Sequence, residues 1–205
     1  MYCYAACIMR SAIYAILLLT LCPLLIAQSH PGVPAISATS ATLRDTHLPS
    51  RLRQDLLAQL QKSILEEWSQ LTNGDHTVAH AQKIALDSRV RFLQPSHRGP
   101  SAIILSSEQC SPNGVNCLSW VFMTKDGHAV LAFEADGSGI LIEPTFHHGM
   151  PDLSSEERYG HSTDGEIEFY EFNGKTYSSA YCFESTVDET GKRNESPHEA
   201  CSDSQ

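Results

Sequence analysis

Histidine and carboxylate side chains crowd one short stretch of this 205-residue chain, Thr145 to His161, which reads TFHHGMPDLSSEERYGH. Imidazole and carboxylate groups are the ordinary ligands of zinc and other divalent metals, and a loop that converges three of them makes a metal site. The positions that fit are His147, His148, Asp152 and His161, with Glu156 and Glu157 beside them, and a divalent metal there would serve a hydrolase. Spacing argues the other way. There is no HExxH run, and adjacent histidines on extended backbone point to opposite sides. On that reading the stretch is a polar surface loop turned by Gly149 and Pro151, with Asp152 accepting backbone N–H bonds. His76 and His80, four apart, share a face only on a helix, and no third ligand follows them closely.

Nucleophilic chemistry finds less support. No GxSxG elbow is present, and Ser138 in DGSG reads as a turn residue. Glu156 with Glu157, or Glu166 with Glu168 and Glu171, would supply an acid and a base for glycoside cleavage, but nothing in the sequence selects one pair from so many carboxylates. Exposed aromatics would serve a protein or glycan partner, and Trp120, Phe122, Tyr159, Tyr170, Tyr177 and Tyr181 are the candidates.

The compartment follows from the first residues. Arg10 precedes the apolar run SAIYAILLLTLCPLLI, Ser11 to Ile26, which has the length of a signal-peptide core and is short for a bilayer-spanning helix. Residues 1–27 are therefore expected to be an export signal cleaved after Ala27, giving a secreted or periplasmic protein. A lipidated Cys22 is the alternative, and only then is a membrane a partner; an uncleaved anchor is the third reading. Cleavage removes Cys3, Cys7 and Cys22 and leaves Cys110, Cys117, Cys182 and Cys201, enough for two disulfides with three connectivities open. Pairing neighbours in sequence would contribute roughly 2.5 and 3 kcal/mol, and a crossed pair such as Cys117 with Cys182 roughly 4 kcal/mol. With 24 acidic and 14 basic side chains the net charge is −10, and no basic stripe exists to neutralise phosphates, so nucleic acid is not an expected partner.

These residues need elements to hold them. Residues 28–49 are rich in Ser, Thr, Ala, Pro and His and read as a flexible linker. Ser50 to Leu71 places Leu52, Leu56, Leu60, Ile64 and Trp68 four apart, an amphipathic helix with Ser50 as N-cap and Asn73-Gly74 as its stop. Beyond Gly74 the pattern turns to β, with short strands at Val90 to Leu93, Ala102 to Leu105 and Ile140 to Ile142. Two hairpins are predicted, Cys117 to Lys125 with His128 to Ala135 around Asp126-Gly127, and Glu166 to Phe172 with Lys175 to Phe183 around Asn173-Gly174. Alternation puts Leu118, Trp120 and Phe122 on one face and groups Leu131, Phe133 and Ala135 on the partner strand. Ile167 and Phe169 oppose Tyr170 and Phe172, which requires a bulge or burial of both sides. Residues 184–205 form an acidic polar tail, expected to be disordered unless Cys201 staples it down.

The segments CSPNGVNCLSWVF, DGHAVLAFEADG, HHGMPDL and EIEFYEFNGKTYSSAYC resemble a group of uncharacterised exported bacterial β-rich proteins. The likeness covers roughly Cys110 to Cys182, departs at the inserted Val115 and at Cys201, and implies export and a small β-rich domain, with no activity to carry over. The expectation is a single α+β domain over residues 50–183, one helix on a mainly antiparallel meander. Its expected role is a monomeric, non-enzymatic exported module that binds or inhibits a protein or glycan at the cell envelope. A metal-dependent hydrolase built on His147 to His161 is the alternative.

Overall fold

The computed structural model describes residues 35–69, 77–94, 101–110, 116–160, 162–197 and 201. Among them the chain forms two five-stranded antiparallel sheets and two helices. The first sheet runs in sequence order, from β1 (Ala35–Thr42) through β2 (Arg89–Gln94), β3 (Ser101–Cys110) and β4 (Cys117–Lys125) to β5 (His128–Gly137). The second is ordered β10 (Arg193–Pro197), β9 (Tyr177–Val187), β8 (Gly165–Phe172), β7 (Met150–Arg158), β6 (Ile140–His147). Helix α1 (Ser50–Ser69) and helix α2 (Val78–Asp87) lie between β1 and β2 in the chain.

The layers follow from alternation. On β3, Ile103 and Leu105 join Trp120 and Phe122 of β4 in a core closed by Leu52, Leu56, Leu60 and Ile64 of α1 and by Ala81, Ile84 and Ala85 of α2. The intervening Ala102, Ile104 and Val121 face the other way, onto Ile140, Met150, Leu153, Tyr170 and Phe172 of the second sheet. The first sheet is thus buried on both sides, with helices on one and a sheet on the other, because its period-2 side chains are apolar in both phases.

Several sequence expectations change here. Ala35–Thr42, inside the stretch read as linker, is an edge strand pairing with β2 from Ala35↔Gln94 to Thr42↔Arg89. The chain then turns back, with Leu43 N–H donating to Ser88 O at 2.9 Å and the Leu43 side chain fully buried. Helix α2 was not anticipated: it is short, capped by the Thr77 hydroxyl on His80 N–H, and buries only Ala81, Ile84 and Ala85, too small a stripe to stand out. The first hairpin has the two-residue turn expected, with Asp126 and Gly127 both at positive φ and Lys125 opposite His128. The second does not. Phe172 pairs with Tyr177, and Asn173 to Thr176 form a longer loop in which the Asn173 side chain accepts from Lys175 and Thr176 N–H.

A bulge in β5 rearranges the faces. Phe122 pairs with Leu131 but Val121 with Phe133, so Ala132 is an extra residue. One residue inverts every later side chain. Leu131 therefore stays on the helix side while Phe133 and Ala135 cross to the second sheet, instead of sharing one face. Gly137 ends β5 against β7, where a Cβ would meet Ser155 Oγ at 2.5 Å and Glu156 O at 2.8 Å, so only glycine allows this approach.

The tail is corrected as well. Beyond Phe183 the chain continues β9 to Val187, turns at Asp188 to Gly191, and returns as β10, paired from Arg193↔Val187 to Pro197↔Phe183. Cys182 and Cys201 stand at disulfide distance with Cα atoms 5.4 Å apart, and Arg193 reaches Glu156 at 2.9 Å. Cys110 and Cys117 pair across β3 and β4 with Cα atoms 4.0 Å apart. Of the three connectivities this is the pairing of sequence neighbours.

Two outcomes are expected. Leu60→Ala, which empties a fully buried position between α1 and the sheet, should cost roughly 2–5 kcal/mol in urea unfolding. Cys201→Ser should lower stability by roughly 3 kcal/mol and open the segment after Phe183 to limited proteolysis; unchanged protease resistance would show that strand pairing alone holds it.

Candidate functional site

The His147 to His161 stretch is not a loop but mostly a hairpin, with β6 and β7 joined at His148 and Gly149, both at positive φ. Of the proposed ligands that are described, it brings His147 and Asp152 together. His147 Nδ1 hydrogen-bonds Asp152 Oδ1 at 2.8 Å, and its Nε2 lies 3.7 Å from Glu171. His148 occupies the turn, and His161 lies outside the described residues. The hydrogen bond that Asp152 accepts raises the His147 pKa above the ordinary 6.5; burial opposes it, and the charges of Asp152 and Glu171 add smaller upward effects. Asp152 is buried and His147 half exposed, and their hydrogen bond closes the hairpin end. Of the other histidine pair, His80 sits edge-on to Trp68 with ring centroids 5.2 Å apart, and His76 lies outside the described residues. Among the described residues no three His, Cys, Asp or Glu side chains are placed to hold one metal ion.

Carboxylates gather elsewhere. A cleft of about 440 Å³ opens where the last turns of α1, the end of β5 and the inner face of β7 and β8 meet. It is lined by Glu66 and Glu67 of α1, Glu134 and Asp136 of β5, Glu157 of β7, and Glu166 and Glu168 of β8, with no lysine, arginine or histidine among its described lining residues. Alternation places them: Glu134 and Asp136 are two apart on one strand, and Glu166, Glu168 and Tyr170 take the inward positions of β8. Sharing Glu134, Glu168 and Tyr170, a second hollow of about 540 Å³ continues toward Thr176, Ser179 and Cys201. A third, of about 190 Å³, shares Glu67 and Asp136 and runs toward Trp68 and Cys110.

The cleft is built, not incidental. Trp120, buried in the first core, donates its indole N–H to Ser63 Oγ at 2.6 Å, and Ser63 donates to Glu134 Oε1 at 2.5 Å. The Tyr170 hydroxyl donates to buried Glu168 at 2.7 Å, and burial followed by that bond raises its pKa far above 10. Burial, then the charges of Asp136 and Glu134, raises Glu67; burial raises Asp136; burial, then Asp136, Glu166 and Glu168, raises Glu157. These groups sense one another across four elements, and a cation entering the cleft relieves that repulsion. The acidic pair Glu166 and Glu168, unselectable by sequence, does face one cleft, whereas Glu156 and Glu171 lie on the outer side of the second sheet. No local signal marks Glu67 or Asp136, which come from an α-helix and an edge strand far apart in the chain.

Aromatic side chains also meet on the outer face of the second sheet. Phe169 stacks on Tyr181 at 4.6 Å, and Phe183 stands edge-on to both at 5.8 Å. Trp120, Phe122, Tyr170 and Tyr177 are buried, so of the aromatics proposed for partner binding only Tyr159 and Tyr181 are well exposed.

The raised carboxylates set a pH dependence. Their folded pKa values lie above the ordinary 3.8 for Asp and 4.5 for Glu, so the folded chain holds these protons more tightly than the unfolded one. Their contribution to stability is fully present below those values and is lost as pH rises through the raised ones. Glu157→Gln is therefore expected to raise the melting midpoint at pH 7 by about 1–2 °C, the small size reflecting its contact with water, and the gain should vanish toward pH 4. A loss of stability at pH 7 would mean that Glu157 is compensated by a cation.

No protein-family model, curated protein or solved structure matches the chain, so its function must be argued from the cleft itself.

Proposed function

We propose that this chain is a non-enzymatic binding module that works outside the cytoplasm and takes a cationic partner into the acidic cleft. The observation that carries this reading is the lining: seven carboxylates from α1, β5, β7 and β8 with no basic side chain among the described lining residues, although Lys62 on the exposed face of α1 reaches Glu66 at 3.5 Å. Holding like charges together in a partly buried hollow lowers stability unless a positive group arrives, and a cleft with low-dielectric walls concentrates its field on such a group. The carboxylates are spread along a groove instead of converging as metal ligands, which favours an extended cation with several charges over a single ion. Two cysteine pairs at disulfide distance are compatible with an oxidising compartment, in keeping with the export signal read in residues 1–27 and the exported proteins that the Cys110 to Cys182 stretch resembles.

Fluorescence anisotropy with labelled hexalysine and hexaglutamate tests the proposal. Hexalysine should bind and hexaglutamate should not, with affinity falling steeply as salt is raised from low to physiological strength. Asp136→Asn with Glu157→Gln should weaken hexalysine by roughly two- to thirtyfold, from about 0.2–1 kcal/mol per exposed charge pair. Equal binding of both peptides, or none of either, overturns the reading. N-terminal sequencing of the exported protein, expected to begin at Gln28, tests the compartment.

A further inference from the structure

The cleft has a backbone floor as well as acidic walls. β5 is an edge of the first sheet, and an edge strand presents unpaired N–H and C=O groups to any chain that approaches. Both ends of this edge are closed by the protein itself. Gln59 of α1 donates through Nε2 to Ala129 O at 2.8 Å and accepts at Oε1 from Leu131 N–H at 3.0 Å, the two bonds that a neighbouring strand would make. Asp55 accepts from Ala129 N–H at 3.4 Å. At the other end Ser138 N–H donates to Glu156 O at 2.7 Å.

Between these caps a stretch stays open. Outward and inward backbone groups alternate along an antiparallel pair. Ser138 is turned away from β4, and the register is regular from Phe133↔Val121 to Gly137↔Cys117, so Glu134 and Asp136 are turned outward too. Among the described residues no hydrogen bond closes on their main-chain groups. Both residues line the cleft.

We infer that the open stretch of β5 around Glu134 and Asp136 is a strand-addition site for an extended peptide carrying a run of lysine or arginine. This rests on the cleft being a cation site and adds how the cation is held. A strand added beside β5 continues the first sheet, so its side chains alternate between the helix layer and the second sheet. One set meets Glu66 and Glu67 of α1, and the other meets Glu157, Glu166 and Glu168. Since both walls are acidic, the matching peptide is basic on both faces. From Ala132 to Gly137 the open edge is about 20 Å long, enough for about six residues.

Hexalysine, the same peptide N-methylated at every internal amide, and spermine are to be titrated against the protein, Glu134→Ala and Glu134→Pro. Proline at 134 removes the N–H facing the cleft and no bond to β4, and Glu134→Ala matches its loss of charge; circular dichroism checks that both fold. Strand addition predicts at least tenfold weaker binding of the N-methylated peptide, at least fivefold weaker hexalysine binding by Glu134→Pro than by Glu134→Ala, and equal spermine binding by the two variants. Equal affinity for both peptides overturns strand addition while leaving the cation cleft standing. If no cation binds at all, both readings fall. Should Glu134→Pro fail to fold, the comparison of the two peptides on the unaltered protein decides alone.

Discussion

A sheet that is apolar on both faces cannot face water on either, and the rest of this fold answers that constraint. In β3 and β4 successive residues such as Ile103 and Ile104, or Trp120, Val121 and Phe122, are all buried, so both phases of the strand period demand cover. The helices between β1 and β2 supply one layer and the sheet of β6 to β10 supplies the other. Burying a large apolar side chain contributes about 1.5–3 kcal/mol, and the largest fully buried ones, Trp120 and Phe122, stand at the middle of β4. Removing either layer would expose a full face of the first sheet.

The acidic cleft is the place where that cover is incomplete. Beyond the Ala132 bulge, the edge of β5 is shared among the last turns of α1, its own sheet and the second sheet. There the inward positions of β8 change from apolar Tyr170 and Phe172 to Glu168 and Glu166. Polar groups at a layer junction are tolerable because each finds a local partner, as Glu134 does in Ser63 and Glu168 in Tyr170. What these partners do not supply is positive charge. Neutral donors satisfy the lone pairs and leave the repulsion between carboxylates in place, and it is Glu67 and Glu157 beside them that burial and neighbouring charge push upward.

Much of the framework is visible in linear pattern. The four-residue spacing of Leu52, Leu56, Leu60 and Ile64 is the stripe that meets the sheet, and the Asp126-Gly127 pair adopts the two positive φ angles its chemistry favours. Elements with weak local signals escaped: β1 and β10 are edge strands of polar sequence that gain their order from one neighbour each, and α2 buries mostly alanine. Hairpin β6–β7 was hidden because Pro151 and the histidines read as loop, although His148-Gly149 is a two-residue turn.

Sequence by itself determined the amphipathic stripe, the β character of the chain beyond it and the first hairpin turn, because each depends on residues close together along the backbone. Tertiary structure decided which cysteines pair, that His147 meets Asp152 and Glu171 without the other candidate ligands described, and that seven carboxylates from four elements share one hollow. The reason is geometric. A single extra residue at Ala132 inverts the faces of β5, and the crossing at Gly137 decides which strands meet, so the company each carboxylate keeps is a property of the packed layers and not of its neighbours in the chain.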